Sequence, residues 1–156
     1  MFRRAFSSLV AFLLASFAMA AAQVQFTSTG YSSGDYDSEW IVNGDFNNDG
    51  IPDLITFNAG SYSFYKGIGG GKFANPVNQA ANIYEGPAAA ADFNRDGKLD
   101  LAVICGNCDF KGNHIFVLLG NGNGTFTSDT SLSTANVPFF LTLADFNGDH
   151  LPDIAV

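Results

Sequence analysis

The sequence predicts an all-β chain built as a partial β-propeller, and three observations carry that prediction. A ten-residue string recurs three times, as DFNNDGIPDL from Asp45, DFNRDGKLDL from Asp92 and DFNGDHLPDI from Asp145. A second string follows the first two copies, FYKGIGGGKF ending at Phe73 and VLLGNGNGTF ending at Phe126. Between these strings the apolar runs are short, rich in branched and aromatic side chains, and bounded by Gly, Asn or Asp, which is the pattern of strands and tight turns. Several strands per repeat, with copies starting at 45, 92 and 145, fit propeller blades better than a helical solenoid.

The elements follow in chain order. Residues 1–22 read MFRRAFSSLVAFLLASFAMAAA: two arginines, an apolar stretch from Leu9, then small residues at Ala18, Ala20 and Ala22. This is the order of a secretory signal peptide cleaved after Ala20 or Ala22. Its apolar core is shorter than the ~20 residues a membrane span needs. The mature chain, residues 23–156, is therefore expected to be secreted or held at the cell surface, with no membrane span. Within it, WIV from Trp40, LITF from Leu54, SYSFY from Ser61, LAVI from Leu101, HIFVLL from His114 and FFLTLA from Phe139 read as strands. The alanines at 88, 89, 90 and 91 have helix-like composition, but they follow Pro87 and align with WIVNG and FFLTLA of the other copies. They are read as a tightly packed strand. The second copy carries extra residues, CGNCDFKGNH from Cys105, and an insertion confined to one place predicts a loop.

Chemistry concentrates in the recurring string. Acids and amides fall at its positions 1, 3, 5 and 9: Asp45, Asn47, Asp49 and Asp53; Asp92, Asn94, Asp96 and Asp100; Asp145, Asn147, Asp149 and Asp153. Oxygens at alternating positions of a tightly wound loop converge, and hard donors of this kind suit Ca²⁺. Position 7, held by Ile51, Lys98 or Leu151, contributes a main-chain carbonyl in other loops of this spacing. Gly50 and Gly97 sit at position 6, where the chain turns sharply; His150 replaces that glycine in the third loop and predicts a weakened site rather than a lost one. The competing explanation of such a string is an Asx-rich turn in which Asp and Asn bond their own backbone. Recurrence in register favours the metal. An EF-hand is excluded, because position 12 holds Thr56, Val103 and Val156 where it needs a bidentate Glu.

DFNxDGxxDL followed by LLGNGNGTF resembles the FG-GAP/VCBS repeat of secreted and cell-surface proteins, the type that forms the integrin α-subunit propeller. The resemblance covers residues 23–156. It implies a Ca²⁺ loop on each blade, made by the aspartates and asparagines named above, and a binding face built by other loops. Two blades and the start of a third fall short of the four or more that close a propeller. The chain stops on Ile154-Ala155-Val156 inside a strand, so a fragment of a longer protein, or an incomplete reading frame, is expected.

Charge bounds the partners. With 7 Lys+Arg against 15 Asp+Glu and a net charge of -8, nothing could neutralise a run of phosphates, which excludes a nucleic-acid ligand. Cys105 and Cys108 in an exported chain read as a local disulfide pinning the insertion, with a Cys/Cys/His114 zinc set as the lesser alternative. Asn123-Gly124-Thr125 is a glycosylation sequon that the repeat's own turn explains. Tyr31, Tyr36, Trp40, Tyr62, Phe64 and Tyr65 offer either a sugar-stacking platform or blade packing, and packing is favoured. The leading functional reading is a non-catalytic binding or adhesion module for an extracellular protein or glycan. The alternative is the propeller part of a secreted carbohydrate-active enzyme, a polysaccharide lyase or hydrolase. Against the latter, no nucleophile–base set is evident, and Glu39 and Glu85 are the only glutamates.

Overall fold

Every regular element among the described residues is a strand, as the short apolar runs predict. The computed structural model describes residues 40–58, 60–81, 86–105, 113–134 and 137–156. The expected leader at residues 1–22, together with Tyr31, Tyr36, Glu39, Glu85, Cys108 and most of the insertion, lies outside the described residues.

The first sheet takes β1 (Ile41–Gly44), β2 (Asp53–Asn58) and β3 (Ser61–Tyr65). A small hairpin, β4 (Gly67–Gly69) and β5 (Lys72–Phe73), then leads to β6 (Val77–Ala80), which completes the sheet in the order β1-β2-β3-β6. The second copy repeats this with β7 (Ala88–Ala91), β8 (Asp100–Cys105), β9 (Asn113–Gly120) and β10 (Phe126–Thr134), in the order β7-β8-β9-β10. The third contributes the hairpin β11 (Thr142–Ala144) and β12 (Asp153–Ala155). All neighbours are antiparallel, and the carboxylate loops join β1 to β2, β7 to β8 and β11 to β12. Two four-stranded blades and the first hairpin of a third make this a partial propeller of open sheets.

Packing follows from the period of two along a strand. On β8, Leu101 and Val103 join Val42, Phe46, Ile55, Phe57, Tyr62 and Phe64 in a core shared with the first blade. The alternate residues Ala102 and Ile104 turn the other way, into a second core with Ile115 and Leu141 of the third copy. Strand β8 is thus covered on both faces. The alanines of β7 share this duty: Ala88 and Ala90 pack on the first core and Ala89 on the second. Small side chains suit that innermost strand because β1 lies on one side of it and β11 on the other.

Of the six aromatic residues named as alternatives, the four that are described resolve into packing. Tyr62, Phe64 and Tyr65 are buried, and Trp40 packs against the first core. The ring of Phe126 receives Phe46 edge-on at 5.8 Å and Tyr62 at 5.5 Å, joining the two blades. The expected strand from Phe139 is shorter than its apolar run: Phe139, Phe140 and Leu141 precede β11, and the first two are largely exposed. Cys105 is disulfide-bonded, and its cross-strand neighbour His114 lies 3.4 Å by Nδ1 from the Ser133 hydroxyl, so its sulfur is not free to join a zinc set.

Candidate metal centre

Each carboxylate loop winds around its own first aspartate. In the first loop, Asp45 Oδ1 accepts from the Asp49 amide at 3.0 Å and Oδ2 from the Gly50 amide at 2.8 Å, while Asn47 Oδ1 also accepts from Asp49 at 2.9 Å. Asp49 Oδ1 closes the next turn by accepting from the Ile51 amide at 3.0 Å. The second loop repeats the pattern with Asp92, Asn94, Asp96 and the amides of Asp96, Gly97 and Lys98. The third repeats it with Asp145, Asn147, Asp149 and the amides of Asp149, His150 and Leu151. Positions 1, 3 and 5 are therefore brought together in all three loops. The Asx-turn bonding and the predicted convergence of oxygens coexist, since an oxygen that accepts one amide keeps a second lone pair; Asp145 Oδ1, which accepts from both the Gly148 and Asp149 amides, is the exception.

The backbone reaches this shape through two left-handed residues per loop. Position 4 is Asn48 (φ 58°), Arg95 (62°) or Gly148 (81°), and position 6 is Gly50 (80°), Gly97 (81°) or His150 (66°). Each loop places its glycine at one of the two. His150 is thus half of an exchange: the third loop returns at position 4 the glycine it lacks at position 6, so the backbone gives no reason for that loop to be weaker. Sequence reasoning weighed position 6 alone.

Position 9 also ties its loop to the surrounding backbone. Asp53 and Asp100 are fully buried. Asp53 Oδ2 accepts from the Phe46 amide at 3.0 Å and Oδ1 from the Gly67 amide at 2.7 Å. Asp100 does the same with Phe93 at 2.9 Å and Gly120 at 2.8 Å. Asp100 thereby ties the head of its loop to the end of β9, and Asp53 ties the head of its loop to the start of β4, just past β3. The glycine is required there by close approach, since a Cβ at Gly67 or Gly120 would overlap the carbonyl oxygen of Pro52 or Leu99. Burial pushes the Asp53 carboxyl up, against the pull of the Gly67 and Phe46 amides. Asp53 still touches the donor set through Asn47 Nδ2 at 3.4 Å, and Asp153, half-exposed, accepts from Asn147 Nδ2 at 3.3 Å and the Phe146 amide at 2.9 Å.

Two ammonium groups stand at the loops. Lys66 Nζ lies 3.0 Å from Asp49 Oδ2 and Lys98 Nζ 3.1 Å from Asp96 Oδ2. The Lys66 pairing is not announced by the spacing of the string, because Lys66 comes from outside it, whereas Lys98 is its position 7. Those lysines hold the Asp49 and Asp96 carboxyls below their usual range. The first two loops are neighbours, with Asn48 Nδ2 donating to the Gly97 carbonyl at 3.2 Å. Among the described residues, no three carboxylate, imidazole or thiolate side chains form a ready-made cluster for a metal. The donor set of each loop instead mixes carboxylates with an asparagine amide, all of them hard oxygens, which fits Ca²⁺ in kind.

Other sites are modest. A cavity of about 210 Å³ opens between the blades beside Tyr62, Gln79, Leu118 and Phe126. Gln79 Nε2 spans the blades, donating to the Gly124 carbonyl at 3.3 Å. The sequon's Asn123 uses its Oδ1 to accept from the amide and hydroxyl of Thr125 at 3.0 and 2.7 Å, a turn-closing role. No helix among the described residues is long and apolar enough to cross a membrane.

The FG-GAP-like repeat family model matches residues 45–103 and again 92–156, which takes in all three loops, the second blade and all of the first but β1. No curated protein matches the chain. With its loops, position-9 ties and paired glycines in register, the chain belongs to the FG-GAP-like repeat family.

Proposed function

We propose that this chain is an exported, calcium-binding propeller module that holds an extracellular protein or glycan ligand and performs no catalysis of its own. The observation that carries the reading is the threefold loop. Asp45, Asn47 and Asp49, Asp92, Asn94 and Asp96, and Asp145, Asn147 and Asp149 are gathered by the same hydrogen bonds around the same left-handed bends. Asp53, Asp100 and Asp153 at position 9, and the carbonyls of Ile51, Lys98 and Leu151 at position 7, would complete each set. Nine of the chain's 15 acidic residues fall in these loops, so their mutual repulsion is local and a cation relieves it there. When bound, the ion supplies that neutralisation and cross-links the two strands a loop joins. Residues 1–22 deliver the module outside the cell, and residues 23–156 form it.

Calcium affinity is expected in the extracellular range, roughly 10⁻⁴–10⁻³ M, since a loop of this kind has no bidentate Glu at position 12. Calorimetry on the whole chain should show heat of calcium binding. Asp92→Ala should weaken it more than Asn94→Ala, because the aspartate removes a formal charge as well as an oxygen. Chelator should lower the melting temperature through mass action. No heat at millimolar calcium, and no change in melting, would sink the reading.

A further inference from the structure

The geometry points to Lys66 and Lys98 as built-in counter-ions that rank the three loops for divalent cations, the third loop filling first; this rests on the calcium reading above. Both ammonium groups reach the same atom of the repeat, Oδ2 of the aspartate at position 5. They reach it from non-equivalent places. Lys98 is position 7 of its own loop, where the first loop has Ile51 and the third Leu151. Lys66 stands between β3 and the Gly67 tie, where the second copy has Leu119. Two different chain positions delivering positive charge to one spot mark that spot as the place where the loop's negative potential is concentrated.

The third loop has no such partner. Among the described residues no lysine or arginine pairs with Asp149; its Oδ2 accepts from Asn147 Nδ2 at 3.1 Å. The His150 ring, 3.7 Å from Asp145 by Nδ1, is 93% exposed and can turn away freely. At positions 1, 3 and 5 the loops carry the same residue types, and the same two positions are left-handed; the third differs in a Gly148 amide added to Asp145 Oδ1 at 2.6 Å and in a half-exposed Asp153.

A divalent ion arriving at the first or second loop must displace an ammonium from Asp49 or Asp96, or sit beside one against Coulomb repulsion. The lysines are 52% and 37% exposed, so they can leave for solvent, and exposed pairs of this kind are weak. Their removal should therefore be felt as about a two- to five-fold gain in affinity. The corollary concerns the empty state. With an ammonium in place the first two loops are already partly neutralised, whereas the third depends on the ion for that, so the order of the β11–β12 hairpin is the part that follows calcium.

Amide NMR of the whole chain titrated with calcium chloride at constant ionic strength reads each loop separately, through the amides of Gly50, Gly97 and His150. The His150 amide should move at the lowest calcium. Lys98→Met should lower the Gly97 midpoint about two- to five-fold and leave that of His150 unmoved, and Lys66→Met should do the same for Gly50. Lys98→Arg, which keeps the charge, should not lower the Gly97 midpoint. Coincident midpoints in the parent chain, a third loop that lags, or methionine variants without effect would overturn the ranking while calcium binding stands. Amides that do not move at millimolar calcium would overturn the calcium reading, and the ranking with it.

Discussion

Asp53 and Asp100 show how one residue serves two demands. Their carboxylates are buried, yet each has two backbone N–H donors, so the charge is compensated by dipoles the fold must satisfy in any case. Removing a carboxylate leaves two buried amides unpaired at about 1–3 kcal/mol each. Asp100→Ala should thus cost roughly 2–5 kcal/mol in urea unfolding without calcium present. Gly120→Ala, which forces a methyl onto the Leu99 carbonyl, should cost at least about 1–3 kcal/mol in the same assay. Losses near zero would show that the tie does not hold the loop to the sheet. The neighbouring acids set a pH dependence of mixed sign. Asp49 and Asp96 are held low by Lys66 and Lys98, so their contribution is complete above the unfolded carboxylate value of about 4 and is lost as pH falls through the lowered folded values. Asp53 is raised, so its contribution is present below that value and is lost as pH rises through the raised one. In calcium-free buffer, urea titrations on either side of pH about 4 should show Lys66→Met losing less stability on acidification than the parent chain. An equal loss would reject the pairing.

At the scale of elements, the middle strand of the described chain is the informative one. Leu101 and Val103 serve the first core and Ala102 and Ile104 the second, so neighbouring truncations on β8 should have separable effects. Leu101→Ala and Ile104→Ala should each cost about 2–5 kcal/mol. Hydrogen exchange should then rise in β1–β3 for the first and in β11–β12 for the second, and identical exchange maps would refute the alternation. The inner strands were legible in the sequence because burial on both faces leaves continuous apolar runs: LITF, LAVI and the four alanines all lie where the pattern puts them. The outer strands were not. β6 reads VNQA and β10 reads FTSDTSLST, and sequences this polar carry little hydrophobic signal, so β3 and β9 pair with partners that periodicity could not announce. The convergence of positions 1, 3 and 5 was legible from spacing alone. The amide ties of position 9 and the Lys66 pairing were not, since they join residues whose proximity exists only once the sheet is formed.

For the whole molecule, the contrast between equivalent phenylalanines is the guide. Phe46, at position 2 of the first loop, is buried under the second blade, where its carbonyl accepts from the Gly124 amide at 2.9 Å and its ring meets Phe126. Phe146, the same position in the third loop, is 59% exposed, and Phe139 and Phe140 nearby are more exposed still. Large apolar side chains left exposed favour association where they gather into a patch. The 156-residue chain should therefore scatter light increasingly with concentration, and the Phe139→Ser, Phe146→Ser double variant should scatter less. Equal scattering would locate the sticky surface elsewhere. The two-sided burial of β8 bears on how such a molecule comes apart. A sheet with neighbours on both flanks is lost only when two interfaces open, while the half-buried β12 is gripped through fewer fully covered side chains. Within residues 40–156, unravelling should therefore start in the third hairpin, where side chains are least covered, and reach the doubly covered β8 last.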